Sequence, residues 1–149
     1  MTRFSRPAEE TLRRVGWYPG RQVREMVDSW KRTLKLSDGL EMFPRAETVL
    51  LEFGGLRIDQ QGPGVTCARE SFTFDPTAAV YEGDRFSDFS TMLRTKLYPL
   101  GEASGGHCFW AIGENGDIYL LMNDLILLGN TIEDALEKLL IGIAGKEIA

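Results

Sequence analysis

Few residues of this chain are equipped for covalent or metal chemistry. His107 is the only histidine, and its neighbour Cys108 is one of two cysteines, the other being Cys67. A Cys–His nucleophile or a metal centre needs such side chains to converge on one point. His107 and Cys108 open the run HCFWAI, which reads as a strand, and adjacent strand residues point to opposite faces. Cys67 sits in a loop-like stretch without CxxC spacing. The pattern predicts ordinary strand and loop residues, with no metal and no cofactor.

Carboxylates are numerous, but their positions have local explanations. Glu133, Asp134 and Glu137 fall at the start of a helical pattern, where the helix dipole favours acids. Glu114 and Asp117 flank a turn, while Asp75 and Asp88 stand in turn and early-helix contexts. No pair stands out as a general acid and base. The glycines of GPG at residues 62–64 and of the two GG pairs lack the framework of a phosphate-binding loop, and they read as turns and helix stops. Trp30 lies in an apolar stripe and predicts core packing. Trp17 and Tyr18 fit either a helix junction or a binding surface. The expectation is a protein that is not an enzyme.

The elements that position these residues can be read from period and punctuation. Ser5 caps a helix running to about Val15, with Gly16 as its stop. A second helix starts near Gln22, with Val23, Met26, Val27, Trp30 and Leu34 on one face. Pro44 suits the first turn of a third helix that ends at Phe53 and the Gly54-Gly55 pair. LRID and Ser71–Phe74 predict short strands, and a fourth helix is expected from Phe86 to Leu97, burying Phe86, Phe89, Leu93 and Leu97. HCFWAI and IYLLM flank ENGD, a hairpin signal in which Asn-Gly predicts a type I′ turn. LILL follows as a third run, and Thr131 caps a last helix with Ile132, Ala135, Leu136, Leu139 and Leu140 inward. Helices, then a mostly antiparallel sheet, then a closing helix make one α+β domain over residues 1–149.

Composition agrees with a folded domain, since 43% of the 149 residues are hydrophobic and 26% charged. The start turns polar at once, with no apolar signal segment, and no apolar run is long enough to cross a bilayer, so a cytoplasmic location is expected. Net charge is −5 but unevenly spread: residues 1–35 hold nine Lys+Arg against four Asp+Glu, and the remainder eight against eighteen. An acidic body repels phosphate backbones, which argues against direct nucleic-acid binding. Residues 70–124 concentrate the effect, with nine acids and three bases. Such a surface aids solubility, or it steers a basic protein partner.

Seven short motifs occur in order along the chain: GWYPGR at 16–21, EFGGL at 52–56, FDP at 74–76, LYPLGE at 97–102, GG at 105–106, FWAIGENGDIY at 109–119 and TIEDALEKLLIG at 131–142. In this order and spacing the chain resembles the SUKH superfamily of bacterial immunity proteins, specifically its SUKH-three group. The resemblance implies an α+β fold, with N-terminal helices and a C-terminal helix packed on a bent, mainly antiparallel sheet. It implies a protein without catalytic residues that binds and neutralises a cognate polymorphic toxin domain, often a nuclease or deaminase. An adaptor role belongs to the same superfamily, and a small hydrolase would need a pocket of converging polar groups. For toxin contact the acidic middle singles out Asp75, Glu82, Asp84, Asp88 and Glu102 as steering charges. Tyr81, Phe86 and Tyr98 are the aromatic contacts expected there if exposed.

Overall fold

A computed structural model describes residues 3–148. Five helices, α1 (Arg6–Arg14), α2 (Arg24–Asp38), α3 (Pro44–Phe53), α4 (Gly83–Leu93) and α5 (Ile132–Ile141), surround a seven-stranded sheet. The strands are β1 (Arg57–Ile58), β2 (Phe72–Thr73), β3 (Leu97–Ala103), β4 (Cys108–Gly113), β5 (Ile118–Leu121), β6 (Leu125–Gly129) and β7 (Lys146–Glu147). Each pairs antiparallel with the next, so sequence order is spatial order. The α+β class is as expected.

Several termini follow the local chemistry. Ser5 accepts the Ala8 N–H at the start of α1, and Thr131 accepts the Asp134 N–H at the start of α5. Pro44 occupies the first turn of α3, and Gly39 and Gly142 end α2 and α5 in the left-handed region. The GWYPGR segment has a packing role. Trp17 is stacked on Phe53 with centroids 6.3 Å apart and donates its indole N–H to Glu52, while Tyr18 is exposed. Arg21 donates to the carbonyls of Glu52 and Gly54, both at 2.8 Å, and so satisfies the end of α3.

Three expectations need correction. The helix expected over Phe86–Leu97 ends at Leu93, because Arg94 turns into the left-handed region and Leu97 opens β3. Leu97 lies four residues beyond Leu93 and so mimics helical spacing. It belongs instead to LYPL, a run whose residues are buried on both faces of the sheet and which therefore carries no period-2 signal. At the hairpin, neither Glu114 nor Asn115 has positive φ, whereas Gly116 does, and Gly116 N–H bonds the Gly113 carbonyl. That is a three-residue loop closed by a glycine bulge, held by the Asn115 side chain accepting the Asp117 N–H, in place of the expected type I′ turn. Met26 is exposed rather than buried, since α2 presents Val27, Trp30 and Leu34 to the core.

The sheet separates two apolar layers. Along β4, Cys108, Trp110 and Ile112 face the larger core with α1, α2, α3 and α5, while Phe109 and Ala111 face the other side. On β5, Ile118 joins the first layer and Tyr119 and Leu121 the second. The second layer is much smaller; among the described residues α4 is the one α-helix packed on it, beside Ala79 of the 3-10 turn Pro76–Ala79.

Candidate functional site

The eight residues expected at a contact surface separate by burial. Asp75 is exposed and caps the short 3-10 turn Pro76–Ala79, accepting the Thr77 N–H at 3.0 Å. Asp84 and Asp88 are exposed on α4, and Glu82 and Glu102 are half-buried. Tyr81 is 85% exposed. Phe86 and Tyr98, in contrast, are 1% and 0% exposed and supply no contact surface. Phe86 anchors α4 to the sheet, and Tyr98 stands edge-on to Phe43 in the larger core. Their large apolar area favours burial over an exposed position.

Tyr98 shows how far it is from a surface role. Its hydroxyl is buried without a hydrogen-bond partner, and burial, with the Glu41 charge adding to it, pushes its pKa well above that of an ordinary tyrosine. An unpaired buried hydroxyl costs roughly 1–3 kcal/mol. Tyr98→Phe is therefore expected to raise the urea midpoint with an unchanged m-value; a fall in the midpoint would mean that the hydroxyl is satisfied.

Tyr81 is built outward by its backbone. Its φ is +72°, a conformation that non-glycine residues rarely adopt, and it is held there by Asp38 at the end of α2. One Asp38 oxygen accepts the Tyr81 N–H at 2.9 Å and the other the Gly83 N–H at 3.2 Å. This clasp fixes the entry to α4 and places Tyr81 beside its acidic first turn. Asp38 had no sequence signal for the role, since its partners lie more than forty positions away.

The charges in this region differ from those elsewhere. Every ion pair among the described residues involves only residues 3–59 and 133–138; none involves residues 60–132. Glu47, for example, is held below the usual carboxylate range chiefly by its hydrogen bond to Lys31. Glu82, Asp84, Asp88 and Glu102 have no such neighbour. Unneutralised acids project a negative potential into solvent, whereas paired ones largely cancel.

Nucleophile chemistry finds no assembly here. His107 is exposed and Cys108 buried, so the two side chains point apart, and burial pushes the Cys108 thiol up, away from the reactive thiolate. Glu70 accepts a hydrogen bond from Ser104, with no histidine interposed. Among the described residues no group of three or more His, Cys, Asp or Glu side chains could hold a metal, and no helix is long and apolar enough to cross a membrane. A hollow of about 350 Å³ between residues 38–41 and α4 is lined by Asp38, Glu41, Ser87 and Lys96 among others.

The family model described as SUKH-3 immunity protein matches residues 4–142. No curated relative and no solved structure matches the chain.

Proposed function

Because this chain belongs to the SUKH-3 immunity protein family, we propose that it acts in the cytoplasm by binding one cognate toxin domain and blocking it, without chemistry of its own. The toxin on this reading is a basic domain that acts on nucleic acid, a nuclease or a deaminase. Proteins that grip phosphate backbones carry clustered Lys and Arg. An acidic surface competes for that cluster. The observation that carries the reading is that none of the nine acids of residues 70–124 is in an ion pair among the described residues, whereas eight of the thirteen acids elsewhere are.

Asp75, Glu82, Asp84, Asp88 and Glu102 steer the encounter, and Tyr81 supplies an exposed aromatic contact already fixed in position. Steering of this kind lifts association by roughly 10–10³-fold at low salt, and the gain falls as salt screens it. A nanomolar complex needs about −12 kcal/mol, and desolvated apolar contact must supply most of that.

The test takes as toxin the C-terminal domain of whatever large secreted protein is encoded beside this chain. Co-expression is expected to rescue cells from it, and the purified pair to bind one to one. Replacing Glu82, Asp84 and Asp88 together with lysine should slow association by at least about tenfold in low salt and flatten its salt dependence. An unaltered on-rate would remove the acidic surface from the account. Absence of rescue with wild-type protein, alongside several weak endogenous partners, would favour an adaptor instead.

A further inference from the structure

The second apolar layer of the sheet is only partly roofed. Besides Ala79 of the 3-10 turn, α4 sends one fully buried side chain, Phe86, into the layer, and Phe89 and Leu93 beside it are half-buried. Phe109 on β4 is half-buried on the same face. The Arg85 guanidinium lies over both rings, 5.7 Å from the Phe89 centroid and 5.8 Å from that of Phe109, and donates to the Met122 carbonyl at 3.3 Å. Phe89, Phe109 and the Met122 backbone therefore meet around one arginine. Met122, whose carbonyl Arg85 holds, is 36% exposed, and Met92, three residues beyond Phe89 on α4, is 59% exposed.

Two features of this area suit a protein partner. Exposed methionines beside half-buried aromatics form an adaptable apolar surface, because the unbranched thioether repacks against varied shapes. The rim is acidic: Asp84 and Asp88 flank Arg85 and Phe89 on α4, and Asp124 adjoins Met122, its carbonyl accepting the Met122 N–H at 3.0 Å. None of these three carboxylates is in an ion pair among the described residues. An apolar centre inside a charged rim is the anatomy of a protein interface.

Taking the immunity reading as given, we infer that the toxin seats on this half-roofed face of the sheet, through a segment that brings an apolar side chain to Phe89, Met92, Phe109 and Met122 and flanking Lys or Arg to Asp84, Asp88 and Asp124. Basic residues suit the rim by charge, and an apolar anchor suits the centre by desolvation. The acids then set how fast the complex forms, and the methionines set how long it lasts.

That division makes the test specific. Met92→Gln and Met122→Gln, alone and together, leave the net charge unchanged and alter exposed side chains, so thermal unfolding should stay near wild type. Against the neighbouring toxin domain, the double variant is expected to dissociate at least about tenfold faster with an association rate within about twofold of wild type. Hydrogen exchange in the complex should slow over residues 83–93 and 109–125. An unchanged off-rate, or protection confined to the 16–21 connector, overturns the inference. If the wild-type chain does not bind that toxin, it is the immunity reading that fails.

Discussion

Trp110→Ala is expected to lower the unfolding free energy by about 3–5 kcal/mol, the range for a fully buried aromatic cut back to a methyl. Trp110 has no exposed surface and stands in the middle of β4. Its ring meets Phe74 at 4.7 Å and Phe72 at 5.3 Å, both edge-on, so its loss opens a cavity that three aromatic residues had filled. Its indole N–H donates to the Thr73 carbonyl at 2.7 Å and ties the short β2 to a strand with which β2 does not pair. A small domain is stable by only about 5–15 kcal/mol, so the variant loses a large share of that. Urea unfolding followed by tryptophan fluorescence and by circular dichroism checks the value. A loss below about 1 kcal/mol would mean that the core collapses around the gap, and the central role assigned to Trp110 would fall.

Gly101→Ala is expected to cost near or above the upper end of the roughly 1–3 kcal/mol typical of overpacking. A Cβ at position 101 would lie 2.0 Å from the Thr73 carbonyl oxygen and 2.7 Å from its carbon. Both are backbone atoms, so no side-chain rotation relieves the clash, and β2 must move off β3. The backbone of Gly101 itself is ordinary for any residue; close approach is the reason for glycine here. Gly105→Ala is the contrast: nothing lies within 4 Å of its Cβ, and only the positive φ of +66° resists, a cost of about 1 kcal/mol. Equal melting temperatures for the two variants would contradict the close-approach argument.

The two sites converge on one atom. The Thr73 carbonyl that Gly101 lets pass is the acceptor of the Trp110 indole. Displacing it by Gly101→Ala also breaks the tryptophan hydrogen bond, so the double variant should be less destabilised than the sum of the singles. The surface proposed for the toxin depends on this joint. Phe109, on the opposite face of the sheet from Trp110, is part of the surface proposed for the toxin, and it keeps its place only while β4 keeps its register with β3.

Much of this architecture follows from local chemistry. Ser5 and Thr131 mark helix starts by side-chain capping, Pro44 by its preset φ, and Gly142 an end by its freedom at positive φ; each acts within a few residues. The amphipathic stripes of α2 and α5 encode most of their burial by period, Met26 excepted, and the Asn-Gly turn between two apolar runs marks β4 and β5. β3 was hidden for the same reason in reverse: with both faces covered, Leu97 to Leu100 show no alternation, and a chance spacing from Leu93 mimics a helix. β1, β2 and β7 are two residues each; LRID and Ser71–Phe74 signal the first two, whereas the edge strand β7 is made by its pairing with β6.

The surface is the reverse case. That residues 70–124 are acidic is plain from the chain, but which acids stand unpaired depends on which cations reach them in space. Of the aromatics expected at the contact, Tyr81 is turned out because Asp38 holds its backbone left-handed, while Phe86 and Tyr98 are turned in to fill the two faces of the sheet. Asp38 reaching Tyr81, and Arg85 reaching from α4 to Phe109, join positions far apart in the chain, and no periodicity links them. The sequence by itself determined most of the elements, the family and the sign of the charge, because capping, period and composition act locally or by simple sum. Only the tertiary structure decided which side chains are offered to a partner, because exposure and pairing depend on what packs against each residue from elsewhere.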